Sequence, residues 1–279
     1  MVTRRWSFEE LAARPGDDLD LVLGATLIAR DVHPDADPGA VKAELDALAE
    51  PLGSEGLESA PPGEQAARLC ELVHGSHGFS GNTAEYYDPR NSLVTDVLAR
   101  RTGIPITLAL VYTEIARRVG VRARGVGFPG HFLVRIDDGL DHVVPGAVLD
   151  PFAGRVLDAR DLADLARRVV GDSPLDPSML APATNRAILV RMLANLKSIH
   201  LERGDHARAY LAITRVTQLL PKSAPALRER GELALKLGAR VSAAEDLARV
   251  VALGERTPDG ERARELLGSL EPPSPRVLN

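Results

Sequence analysis

The sequence predicts an α+β protein, and three observations carry that reading. Helix-like segments separated by Pro and Gly breaks fill the first 120 residues. Short β-branched and aromatic runs occupy the stretch from Val121 to Phe152. Helical periodicity then resumes and contains a repeat of 34 residues. The organisation expected is an N-terminal helical region at 1–90, a core at 91–170, a linker at 171–185, helical repeats at 186–270 and a tail at 271–279.

Each element has a local reason. The apolar run LDLVLGATLIAR, Leu19 to Arg30, is a helix ended by HPDADPG. Pro38-Gly39 opens the next, in which Val41, Leu45 and Leu48 share one face. Pro51 to Glu64, rich in Gly and Pro, reads as a flexible loop. Helix resumes over Glu64 to Val73, and HGSHGFSGN is a second loop. Asp88-Pro89 marks a turn, Ser92 is placed to cap LVTDVLARR, and Gly103 to end it. Ile106 to Val119 is apolar almost all round, apart from Glu114 and the Arg117-Arg118 end, which predicts a deeply buried helix stopped by Gly120. VRARGVGF, HFLVRI, HVV and AVLDPF then read as a small antiparallel sheet packed on that helix, with a turn at Asp137-Asp138-Gly139. Asp161 to Val169 is amphipathic, and SPLDPSMLAPAT, with three Pro, resembles a linker.

Beyond it Leu193, Gly204, Ala209, Ile213, Val216 and Leu219 recur 34 residues later as Leu227, Gly238, Ala243, Leu247, Val250 and Leu253. Small residues at Ala209 and Ala243 let helices cross closely, and Pro221 stops the first unit. A helix–turn–helix period of this length is the tetratricopeptide signature.

Composition narrows the function. The 279 residues are 44% hydrophobic, enough for a real core, and the formal charge is −5. That balance offers no global attraction for nucleic acid or anionic membranes. No apolar run approaches the roughly 18 residues that span a bilayer. The basic start lacks an apolar h-region and does not read as a signal peptide. One cysteine, Cys70, excludes an intramolecular disulfide and a multi-cysteine metal site. The expectation is a soluble, cytoplasmic protein with no cofactor and no metal.

One constellation could carry chemistry: the buried helix after Gly103-Ile104-Pro105, His131 opening a strand, and Asp150 closing one. An aspartate accepting from one ring nitrogen fixes the tautomer of a histidine and leaves the other nitrogen as base. A satisfied histidine and an Asp-Pro turn explain the same two residues more plainly. His74 and His77 have HxxH spacing but fall short of a ligand set. Asp137, Asp138 and Asp141 around Gly139 suit a hairpin turn better than calcium. Arg100-Arg101, Arg117-Arg118 and Arg122/Arg124 sit near helix ends, where cations favour the dipole. No phosphate-binding glycine loop is present.

The segment from DPRNS through GIPITLALVY and FPGHFLVR to LDPF resembles the transglutaminase-like superfamily. More closely, it is similar to the bacterial SirB-type branch, which carries a tetratricopeptide tail, over roughly Leu19 to Leu253. The resemblance implies a papain-like core in which a cysteine starts the central helix and histidine and aspartate sit on successive strands. His131 in GHFLVRI and Asp150 in LDPF match the last two. The nucleophile departs from the pattern. Its expected place, counted back from Gly120, is Pro105 to Thr107, and no cysteine stands there. Thr107 offers a hydroxyl, although an internal threonine is a poor nucleophile without strong activation. Cys70, in a helical run, reads as a small core residue.

Three functions follow as expectations. The first is a non-catalytic protein, a pseudoenzyme, that binds a protein or peptide through its repeats and a vestigial cleft. Arg191, Lys197, Arg228 and Lys236 are then candidates on the inner helical face. The second is a hydrolase or acyltransferase on carboxamide or peptide groups, with His131 as base, Asp150 as orienter and Thr107 or activated water as nucleophile. The third is an inert scaffold whose pocket is filled by side chains.

Overall fold

The computed structural model describes residues 6–16, 19–53, 56–138, 145–171, 176–254 and 256–270. The chain divides into two compact units, Met1–Met192 and Leu193–Asn279.

The first unit opens with α1 (Phe8–Ala12), α2 (Leu21–Ala29), α3 (Pro38–Ala49) and α4 (Pro62–Cys70). Every residue of α2 is buried, as its unbroken apolar run requires, and Asp20 caps it by accepting from Leu23 N–H at 2.9 Å. Asp37 caps α3, with Pro38 in the first turn. The described part of the stretch from Pro51 to Glu64 is more ordered than its Gly and Pro content predicts. It holds one-turn 3₁₀ helices at Glu50–Leu52 and Leu57–Ser59, pinned by buried Leu52 and Leu57, and α4 starts within it.

A two-residue strand β1 (Ser80–Gly81) pairs in parallel with β2 (Thr102–Gly103), and between them lies α5 (Val94–Arg100). Ser92 does not cap α5. It falls inside the 3₁₀ turn Pro89–Ser92, which Asp88 caps through Arg90 N–H. Gly103 does not end α5 either: Arg101, at φ 57°, makes the left-handed stop, and Gly103 goes into β2.

Helix α6 (Pro105–Arg118) is the buried helix, covered from Pro105 through Tyr112, and Gly120 at φ +75° turns the chain after it. Four antiparallel strands follow in spatial order: β3 (Ala123–Val126), β4 (Leu133–Ile136), β5 (Ala147–Asp150) and β6 (Arg155–Leu157). Val134 pairs with Leu149, so the start of β4 and the end of β5 lie side by side. Asp137 closes β4 by pairing with Arg124 at 2.7 Å and with buried Arg135 at 2.6 Å. Gly139, Asp141 and all of HVV lie outside the described residues. Helix α7 (Ala159–Val170) completes this layer.

The described part of the linker-like stretch is docked rather than free. Pro182 bridges Val126, Ala183 N–H donates to Gly125 O at 2.8 Å, and Arg135 donates to Leu180 O at 2.8 Å. Buried Leu180 joins Val126, Phe128, Leu133 and Val148 in one cluster. Proline spacing cannot reveal such pairing, because it depends on a strand edge more than fifty residues earlier.

Helix α8 (Asn185–Glu202) contains the division between the units. Its first turns pack within the first unit: Leu189 fills the space left by Gly24, where a Cβ would come within 2.5 Å of it. The second unit continues with α9 (His206–Leu219), α10 (Ala224–Lys236), α11 (Arg240–Gly254) and α12 (Pro258–Leu270). Gly204 and Gly238 both take positive φ, at 71° and 78°, and Ala209 and Ala243 are fully buried. The repeat positions Leu193, Ile213, Val216, Leu219, Leu227, Leu247 and Val250 are buried as well. Leu253 departs from the repeat and is 47% exposed. Arg230 ties three helices, reaching Asp246 through two nitrogens at 2.6 and 2.5 Å and the Thr217 hydroxyl at 2.7 Å. Among the described residues no helix is long and apolar enough to cross a membrane. None of those residues forms a His, Cys, Asp or Glu group fit to hold a metal ion.

Candidate functional site

The side-by-side ends of β4 and β5 bring His131 and Asp150 together across 19 residues. His131 Nε2 lies 2.9 Å from Asp150 Oδ2, and the imidazole is 20% exposed. The other carboxylate oxygen accepts from Phe152 N–H at 2.8 Å and Ala153 N–H at 3.2 Å. Burial works to raise the Asp150 pKa, but the hydrogen bond and charge of His131 and these two amides outweigh it and hold the carboxyl below its ordinary value. An ionised carboxylate cannot donate, so Nε2 is the donor, and in the neutral ring Nδ1 is left as the acceptor.

Aromatic side chains stand beside the pair. Gly81 N–H donates to Phe152 O, and the absent Gly81 side chain makes room for the Phe152 ring, which a Cβ would meet at 2.4 Å. Tyr86 lies 6.0 Å from Phe152 and 5.3 Å from Tyr87, ring to ring, and the two tyrosines are 41% and 62% exposed. Their loop is fixed by buried Asn91, whose amide donates to Glu85 O at 2.7 Å and Tyr86 O at 3.2 Å. The Asn91 side-chain oxygen accepts from Asn82 at 3.1 Å and Arg100 at 3.3 Å. An adjacent tyrosine pair just before an Asp-Pro turn is the sequence signal that finds this wall; hydrophobic periodicity misses it.

Thr107 lies in the first turn of α6, buried. Its hydroxyl is 2.6 Å from Asn91 O and 3.1 Å from Ile104 O, and it accepts from Ile104 N–H at 3.3 Å. Those bonds hold the α6 start against Asn91. Cys70 ends α4 and is buried, as a core residue should be. Burial, with a smaller push from the negative charge of Asp150, moves its thiol pKa up to about 11 against the pull of Tyr112. Burial likewise raises the Tyr112 phenol, whose hydroxyl has no partner of full hydrogen-bond geometry among the described residues.

The four candidate cations occupy different surroundings. Arg191 sits at the dyad, donating from Nη2 to His131 O at 3.2 Å with its guanidinium 5.6 Å from the Phe132 ring centre. Lys197 pairs with Glu229, and Arg228 pairs with Asp259 at 2.6 Å and Glu232 at 2.9 Å. Lys236 is exposed near the end of α10. Two of the four expected basic residues, Lys197 and Arg228, are therefore neutralised by acidic neighbours. His74 and His77 each bond a backbone carbonyl, Phe79 O at 2.8 Å and Leu48 O at 2.9 Å, and fix loops.

Residues 39–194 match the transglutaminase-like superfamily, and residues 196–268 match the tetratricopeptide repeat family. A UPF0162 protein of Xylella fastidiosa is 40% identical over 92% of both chains. A UPF0162 protein of Pseudomonas aeruginosa is 33% identical over 91% of this chain and 92% of its own. Human F-box only protein 21 is 35% identical over 130 residues, 45% of this chain and 20% of that protein. No solved structure matches.

Proposed function

The chain belongs to the transglutaminase-like superfamily, in the SirB-type branch that ends in tetratricopeptide repeats, and on that basis we propose that it is a peptide-binding member rather than a thiol catalyst. The observation that carries the reading is the start of α6. Pro105 and Ile106 offer no nucleophile there, and the Thr107 hydroxyl is engaged with Asn91 O at 2.6 Å. Cys70 does not replace it, because a thiol with a pKa of about 11 stays protonated near neutrality. What remains is a polar pair beside an exposed aromatic wall, a surface suited to an extended peptide. Tetratricopeptide units bind protein segments on their stacked helices, which supplies a second recognition element. A lone thiol kept reduced fits a cytoplasmic setting.

The intact His131–Asp150 pair supports a second reading, hydrolysis or acyl transfer on carboxamide groups with activated water. His131→Ala separates the two. On the binding reading the wild-type chain has no amidase or transamidase turnover for this variant to lose. Turnover in the wild-type chain that the folded His131→Ala variant loses would overturn the non-catalytic reading.

A further inference from the structure

We infer that the surface beside His131 takes ligands ending in a carboxylate, and that Arg191 is the residue that recognises it; this rests on the peptide-binding reading above. Arg191 stands at the dyad without a counter-ion. Arg118, Arg135, Arg155, Arg228 and Arg230 all pair with carboxylates at 2.5 to 2.7 Å. Among the described residues no carboxylate lies within ion-pair distance of Arg191.

A half-buried guanidinium has five donors in a planar fork. One goes to the His131 carbonyl. The plane is steadied from one side by the Phe132 ring. Gly127 lies against the Nη1 end, where a Cβ would stand in ordinary contact at 3.8 Å. A fork held by its stem with donors unspent matches a carboxylate, which can accept two parallel N–H bonds.

The surroundings say what is attached to that carboxylate. The Arg191 charge is felt by the Tyr86 phenol, whose pKa burial and Tyr87 raise against it, so the cation and the aromatic wall share one neighbourhood. Tyr86 and Tyr87 are exposed to a ring or a peptide plane, with half-buried Phe152 behind them. The Asp150 charge, which would repel an anion, is turned onto His131 and two amides. The arrangement suits the C-terminal residue of a peptide: carboxylate on Arg191, amide near His131, apolar group on the tyrosines.

The test is an NMR titration of the full chain with N-benzoylglycine and with N-benzoylglycinamide, which lacks the charge. N-benzoylglycine should shift the His131 ring signals and bind at least about 10-fold tighter, with the preference shrinking as salt rises. Arg191→Gln still has a donor for the His131 carbonyl but no charge, and should bind both probes alike with the free-state His131 signals unmoved. Arg191→Lys should keep the preference. Equal binding of both probes at His131 in the wild-type chain overturns carboxylate recognition and leaves the peptide-binding reading standing. Binding of neither overturns both. A preference that survives Arg191→Gln removes Arg191 from the role.

Discussion

Asp150 shows how a single carboxylate gathers the site. It is the last residue of β5, and it takes one bond from His131 and two from the turn that follows. Its folded pKa lies below the ordinary 3.8, so its contribution to stability is complete above that value and is lost as pH falls through it. Asp150→Asn should therefore lower stability at pH 6 by about 1–3 kcal/mol, and the gap to wild type should narrow by pH 3. Urea midpoints at the two pH values check this; a gap that stays constant would mean that the carboxylate charge is not what the site depends on. His131 and Asp150 were legible as a pair through the family resemblance, since their strand-edge positions alone suit a satisfied histidine and an Asp-Pro turn as well. Arg191 was read as a candidate of the repeat face, and its place beside His131 was not legible, since that neighbour lies 60 residues away.

Among the elements, the three-helix tie in the second unit is the most exposed to single changes. Asp246 in α11 is buried and neutralises Arg230 of α10, which also holds Thr217 of α9. Asp246→Ala leaves that half-buried guanidinium without its anion and should cost about 2–3 kcal/mol. Thermal unfolding of the second unit reads the loss directly; a shift below about 1 kcal/mol would show that water replaces the carboxylate. The helices of this unit were legible because their apolar spacing repeats. Strands β1 and β2 were not, since two residues carry no alternation. The docking of Pro182 and Ala183 on β3 was hidden for a related reason: backbone pairing leaves no mark on side-chain pattern.

At the scale of the chain, the division between Met192 and Leu193 falls inside a helix, not in the proline-rich stretch before it. Ile188, Leu189 and Met192 are buried members of the first unit. Removing them forfeits about 5–9 kcal/mol of apolar burial, on the scale of a whole domain's stability. A chain ending at Pro182 should fail to fold, whereas one ending at Glu202 should keep the His131–Asp150 pair. Dispersed NMR signals in the second and their absence in the first are the expected result; two equally folded products would show that α8 is dispensable to the first unit. The same helix bears on inheritance. A recombination event that joined foreign sequence at the prolines would deliver the dyad without Arg191 and without Leu189, which fills the space left by Gly24. Exchange of the repeats between related genes is viable only when the breakpoint falls beyond Met192, so the tail and the first half of α8 should be inherited on different terms.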